Sequence, residues 1–266
     1  MKKHLLITGG SRNLGYAMAE RMIRAGWAVH LTSRSAEDAA EAAEKLRTLV
    51  PGAEAFGYAM EQSCVEDIRR FFRELDRNTD HLDGFIANAA NLGVGKDVFT
   101  TDEEAYDRIM DVNAKGTFFC CQEAAKRMTR RGGAMVLIGS VQGVRAVEGR
   151  TVYGISKAAV SMLSKYLAYD LAPYGIRVNC IVAGAVHSDR WDALEPAAAA
   201  GRRANYPLGR ESDREEVAAA AEFLLSDGAA TTTGAELLMD SGLLLPALPY
   251  RDRKEKLHDD FGRKDD

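Results

Sequence analysis

Tyr153 and Lys157 are the residues of this chain best spaced to do chemistry. They stand four apart in a segment of helical periodicity (152–172), so both fall on one face of the helix. Ser140 closes the apolar run "AMVLIGS", which reads as a buried strand, and so lies at that strand's carboxyl end. A tyrosine hydroxyl can give a proton to a carbonyl oxygen, but a free phenol, with a pKa of about 10, exchanges poorly near neutrality. A cation about 5 Å away, at an effective dielectric of about 20, contributes about 3 kcal/mol, or roughly two pKa units. Lys157 is spaced to be that cation, and Ser140 can hydrogen-bond the same carbonyl oxygen. Taken singly, each has a plainer role: a buried hydrogen-bonded tyrosine, a solvated lysine, a helix-capping serine.

The stretch "TGGSRNLG", Thr8 to Gly15, supplies a second constellation. It follows the apolar run Leu5-Leu6-Ile7 and opens a helix, the arrangement in which backbone N–H groups and the helix dipole receive a phosphate. Asn13 stands where a third turn glycine is expected, and asparagine tolerates positive φ better than other residues with a Cβ. Dinucleotide sites for NAD place an acid about 20 residues on, against the ribose hydroxyl. Here the second strand ends "LTSRS", with no acid at Thr32, Ser33 or Arg34. Arg34 and Arg12 would both attract a 2′-phosphate, which points to NADPH/NADP+ as the cofactor.

Alternating strands and helices must position these groups. Strands are expected at 4–8, 27–33, 53–59, 82–87, 134–140, 176–184 and 235–240. Helices are expected at 14–25, 36–49, 65–78, 103–130, 152–172 and 213–226. The pattern predicts an α/β fold: a single-domain, doubly wound parallel sheet of Rossmann type, with about seven strands and helices on both faces. Residues 1–245 form one dinucleotide-binding catalytic domain. An irregular stretch at 188–212 stands apart from this alternation, and 246–266 is a charged tail read as a solvated terminus.

These motifs together resemble the short-chain dehydrogenase/reductase family, and the likeness runs over nearly the whole chain. "TGGSRNLG" resembles its cofactor turn, "NAAN" (88–91) its Asn-Asn-Ala-Gly, and "VNAKG" carries Asn113 where the family has a helix asparagine. Tyr-x-x-x-Lys with an upstream serine is its signature. "IRVNCIVAG" is similar to its Asn-x-Ile-x-Pro-Gly segment and "TTTGAELLMDSG" to its closing motifs. The resemblance implies a catalytic set of Asn113, Ser140, Tyr153 and Lys157, in which Lys157 also holds the nicotinamide ribose and Asn113 supports a proton relay through water. It implies cofactor contacts from Gly9, Ser11, Arg12, Asn13, Leu14 and Gly15 in the turn, and from Ser33 and Arg34 after the second strand. Further contacts are implied at Glu61, Gln62, Asn88, Ala89, Tyr153, Lys157, Gly184, Val186 and Ser188, with no metal. It also implies a homotetramer paired through the helices at 103–130 and 152–172.

Within the family the chain is 3-oxoacyl-acyl carrier protein reductase-like, with some resemblance to a branch of enoyl-acyl carrier protein reductases. That branch spaces its Tyr and Lys more widely. Here the position seven before Lys157 is Arg150, so the close spacing favours carbonyl reduction. Departures include Asn13 in the turn, Ala89 and Asn91 in "NAAN", Glu61 for an aspartate near adenine, Ala183 for the proline, and Ser188 for the threonine that contacts the carboxamide. None removes a catalytic group.

A ketone reduced to a secondary alcohol is therefore the expected reaction, on a small carbonyl substrate or a carrier-linked 3-oxoacyl thioester. Oxidation of a steroid or other secondary alcohol, enoyl-thioester reduction, and NADPH sensing without turnover stand as alternatives. The net charge of −4 argues against a nucleic-acid partner. The N-terminal apolar run is too short for a signal peptide, and no run is long enough for a membrane span. Cys64, Cys120, Cys121 and Cys180 lack metal or disulfide spacing and suit a reducing cytoplasm. In the 188–212 loop, Trp191, Leu194 and Tyr206 are candidates for an apolar pocket. Arg202 and Arg203 are read as exposed or as facing an anionic substrate, and His187 as structural.

Overall fold

A computed structural model describes residues 2–245. The chain runs β1 (His4–Ile7), α1 (Asn13–Arg24), β2 (Ala28–Ser33), α2 (Ala36–Leu49), β3 (Ala55–Ala59), α3 (Val65–Leu75) and β4 (Gly84–Ala87). Then come α4 (Glu103–Met110), a π-helical turn (Asp111–Gly116), α5 (Thr117–Met128), β5 (Gly133–Ser140), α6 (Thr151–Leu171) and β6 (Ile176–Ala183). The chain continues with α7 (Asp189–Asp192), α8 (Pro196–Arg203), α9 (Arg214–Leu225) and β7 (Glu236–Met239).

All seven strands pair in parallel, in the order β3-β2-β1-β4-β5-β6-β7. Strand order reverses between β1 and β4, where Ile7 pairs with both Leu31 of β2 and Ile86 of β4. A crevice outside the carboxyl ends of the strands is expected there. Alternate side chains feed two cores: Leu5, Ile7 and Val29 pack with α1, α2 and α9, while Leu6, Phe85 and Leu137 pack with α3, α5 and α6. Burial on both faces explains why the central strands are apolar without alternation.

Two expectations change. The helix read over 103–130 is interrupted by the π-turn at Asp111–Gly116. The irregular stretch 188–212 contains two short helices, α7 and α8, the latter begun by Pro196 in its first turn and carried by an alanine run. The tail 246–266 lies outside the described residues.

Candidate active site

The turn after β1 is built for close approach. Gly9 takes φ +65° and Asn13 φ +49°, so asparagine occupies the left-handed region as its chemistry allows. Arg214 Nη1 donates to Asn13 Oδ1 at 3.4 Å, steadying that residue from α9. A Cβ on Gly15 would overlap the Gly9 carbonyl oxygen, so only glycine lets α1 sit this close to the turn. Arg12, the N-cap of α1, makes no side-chain capping bond, and the first turn of the helix holds no acid. The leading N–H groups are thus left to an anion.

Across the reversal point, Asn88 ties β4 to this turn. Its Nδ2 donates to Thr8 O (3.1 Å) and Gly9 O (2.9 Å), while Thr8 Oγ1 accepts from the N–H of Asn88 and of Ala89. A groove of about 670 Å³ runs along the edge, walled by Ser11 to Gly15, by Thr32, Ser33 and Arg34, and by Asn88 to Leu92. Glu61, Gln62 and Ser188 complete the wall, joined by Met60, Val112, Asp189 and Arg190. A long groove with an acid-free helix start fits a dinucleotide, and Arg12 and Arg34 stand along its wall. Gly184 and Val186 do not line it: Gly184 packs against Asp240, and Val186 bridges to Ser212. The Glu61 carboxylate is engaged locally, accepting from Ser63 N and Oγ.

Gln62 and Asn113 act behind the groove. A π-turn shifts its hydrogen bonds by one residue and displaces carbonyls from the α ladder. Gln62 Nε2 donates to one of these, Val112 O, at 2.9 Å. Gly116 makes room for this contact, since a Cβ there would overlap Gln62 O. Asn113, 1% exposed, accepts from Asn91 N (2.7 Å) and donates to Asn91 O (2.8 Å) and Ser156 Oγ (2.9 Å). Ser156 Oγ donates in turn to Tyr153 O at 2.7 Å. The Asn113 side chain therefore ties the loop after β4 to the turn of α6 that carries Tyr153. From sequence Asn91 stands out only as a departure in "NAAN" and Ser156 not at all, because their bonds to Asn113 join residues distant in the chain.

Ser140, whose Oγ accepts from Gln142 N at 3.2 Å, lies close enough to Tyr153 to act on its phenol. The Lys157 ammonium lies 5.8 Å from the Tyr153 ring centroid and donates to Ile138 O at 2.7 Å. Burial lowers the Lys157 pKa to about 8. Burial raises that of Tyr153, opposed by the Ser140 hydrogen bond and by the charges of Arg150 and Arg190. The sequence reading expected Lys157 to depress Tyr153; in this site desolvation outweighs the cations, and the cations that act are arginines. Arg150 stands at the start of the helix that carries Tyr153, and Arg190 is brought in from α7, distant in the chain.

The 188–212 segment closes over the end of β6. His187 joins Glu211 and Asp192, each at 2.9 Å, and Arg203 grips Glu211 through two bonds of 2.7 and 2.6 Å. These partners hold the buried Glu211 carboxyl down to about 2 and raise His187. His187 is thus structural, as expected, and Arg203 is committed to an ion pair. Trp191 is buried beneath Arg202 and Arg203, whose Cζ atoms lie 5.8 and 5.5 Å from its ring. It packs inside the loop and does not line an open apolar pocket.

The chain is similar in sequence and fold to known proteins. Residues 9–244 match the family profile described as Enoyl-(Acyl carrier protein) reductase. The chain is 33% identical to carbonyl reductase family member 4 of Danio rerio, over 92% of this chain and 99% of that protein. It is 32% identical to the 3-oxoacyl-[acyl-carrier-protein] reductase of Homo sapiens, over 92% and 99%. Its structure is similar to that of a short-chain type dehydrogenase/reductase from Mycobacterium marinum, with TM-score 0.84 and 27% identity over 92% of this chain and 96% of that one. The chain belongs to the short-chain dehydrogenase/reductase family of oxidoreductases.

Proposed function

We propose that this protein reduces a ketone to a secondary alcohol with NADPH. The observation that carries the reading is Ser140 at the carboxyl end of β5 beside Tyr153, with Lys157 one helical turn on and 5.8 Å from the Tyr153 ring. A bound dihydronicotinamide would supply the hydride to the carbonyl carbon. Ser140 holds the carbonyl oxygen, and Tyr153 Oη passes its proton to that oxygen as the alkoxide forms. Lys157 is the positive charge nearest along α6, suited to steady the phenolate that is left and to hold the nicotinamide ribose. Asn113 keeps the Tyr153 turn in place through Ser156; the relay role implied by the resemblance is part of this proposal.

Arg12 and Arg34, both exposed on the groove wall, support NADPH over NADH, since no acid at the end of β2 opposes a 2′-phosphate. The similar carbonyl and 3-oxoacyl-[acyl-carrier-protein] reductases support a carbonyl substrate, with an acetoacetyl thioester the first acyl compound to test. Enoyl reduction is the weaker reading, because Arg150 occupies the position seven before Lys157. Buried thiols at Cys120, Cys121 and Cys180 suit a reducing cytoplasm. The proposed assembly is a homotetramer.

NADPH oxidation against a ketone panel tests the reaction. Tyr153→Phe is expected to lower turnover by at least about a hundredfold; an active variant would remove the proton donor proposed here. Equal kcat/KM with NADH and NADPH would refute the cofactor preference, and Arg34→Ala is expected to narrow the gap by about tenfold.

A further inference from the structure

Three arginines from separate segments approach the mouth of the Tyr153 site. Arg150, at the start of α6, has its Cζ 6.0 Å from the Tyr153 ring centroid and is fixed there by Nη1 donating to Leu92 O at 2.6 Å. Arg190, in α7, lines the groove beside Asn91, Leu92 and Ser188. Arg202, in α8, lies over Trp191, which places it one residue from Arg190 across the loop. The three groups feel one another: burial first, and then the charges of Arg190 and Arg202, lower Arg150, while Arg150 and Arg190 both oppose the rise that burial causes at Tyr153.

None of the three forms an ion pair among the described residues. Arg203, next to Arg202, is locked on Glu211, and Arg21, Arg127 and Arg210 each hold a carboxylate. Asp189, beside Arg190 on the groove wall, and Glu148, near Arg150 in sequence, pair with none of them. Like charges gathered without a counter-ion repel, and an entering anion relieves that repulsion. Guanidinium forks also match the planar or tetrahedral oxygens of a carboxylate, sulfonate or phosphate.

We infer that the substrate reduced at Tyr153 is a short ketone bearing such an anionic group a few bonds from its carbonyl, held by Arg150, Arg190 and Arg202. This deepens the ketone reduction proposed above and rests on it. The closeness of Arg150 to the Tyr153 ring favours a short anion over the phosphate of a carrier's pantetheine arm, which lies far from its thioester carbonyl.

The test compares kcat/KM, with saturating NADPH, for 4-oxopentanoate, its methyl ester, 3-oxobutane-1-sulfonate and acetoacetyl-coenzyme A. One of the two acids is expected to exceed the ester by at least about tenfold, and Arg190→Gln and Arg202→Gln are each expected to reduce that ratio by about tenfold. Among the described residues neither side chain makes a hydrogen bond, though Arg202 lies over Trp191, and a circular-dichroism melt checks that both variants fold. An ester or coenzyme A thioester reduced as well as the acids overturns the inference. So do variants that raise the KM for NADPH and leave the acid-to-ester ratio unmoved, because the arginines then serve the cofactor. If no ketone is reduced, the reaction proposed above fails separately. Calorimetric titration with propane-1-sulfonate in the presence of NADP+ then decides the anion site: binding weakened about tenfold in Arg202→Gln sustains it, and no binding removes it.

Discussion

Lys157 sits in a place where charge is costly. It is 4% exposed and donates to the Ile138 carbonyl, and burial lowers its pKa to about 8. A lysine with a lowered pKa is charged below that value and neutral above it. If the charge supports Tyr153 as proposed, kcat/KM for ketone reduction should be level below about pH 7 and fall as pH rises through about 8. Lys157→Arg keeps its charge in that range, so its descending limb should move upward even if its plateau is lower. A wild-type profile level to about pH 10 would contradict the role given to Lys157. At this scale the sequence was informative about residue types and poor about their fields. Tyr153, Lys157 and Ser140 were legible from spacing, and the positive φ of Asn13 from the tolerance of asparagine. The direction of the Tyr153 shift was not, because desolvation depends on what packs around the ring.

The π-turn shows the limit at the scale of elements. A single extra residue in a helix leaves the apolar period intact on either side, so 103–130 read as one helix. The signal that could have marked it was Gly116, an interior helix glycine, which the turn needs in order to pass Gln62. Gly116→Ala should cost about 2 to 3 kcal/mol in urea unfolding and reduce turnover, because the shift reaches Asn113. Gly201→Ala, in α8, where a Cβ would meet nothing within 4 Å, should instead stabilise by about 0.5 to 1 kcal/mol. A neutral Gly116→Ala would mean that the turn relaxes without it. α8 was missed in the stretch read as irregular; the signal that could have marked it was Pro196 followed by alanines.

At the scale of the whole molecule, several exposed apolar residues share one side of α6. Ile155, Met162, Tyr166 and Tyr169 lie on the outer side of α6, with Tyr169 83% exposed, and Phe118 is exposed on α5. β7 is the edge strand, and its Leu237 and Leu238 are exposed. Such a stripe and an open edge favour association. Light scattering should give about 116 kDa, four times the 29.0 kDa chain, and Tyr166→Glu with Tyr169→Glu should yield a smaller species. A monomeric wild-type protein would overturn the proposed tetramer.

Local rules were enough to determine a parallel α/β sheet, a phosphate-type turn after β1 and a serine, tyrosine and lysine at its carboxyl edge. Apolar runs, helical spacing and the conformational preferences of glycine and asparagine act within a few residues, so the chain displays them directly. The tertiary structure alone decided that Asn88 staples β4 to the turn, that Gln62 braces a displaced carbonyl, and that Arg203 is neutralised while Arg150, Arg190 and Arg202 are not. Those outcomes depend on atoms distant in the chain coming within hydrogen-bond reach and on the water removed when they do. No pattern along the chain encodes either.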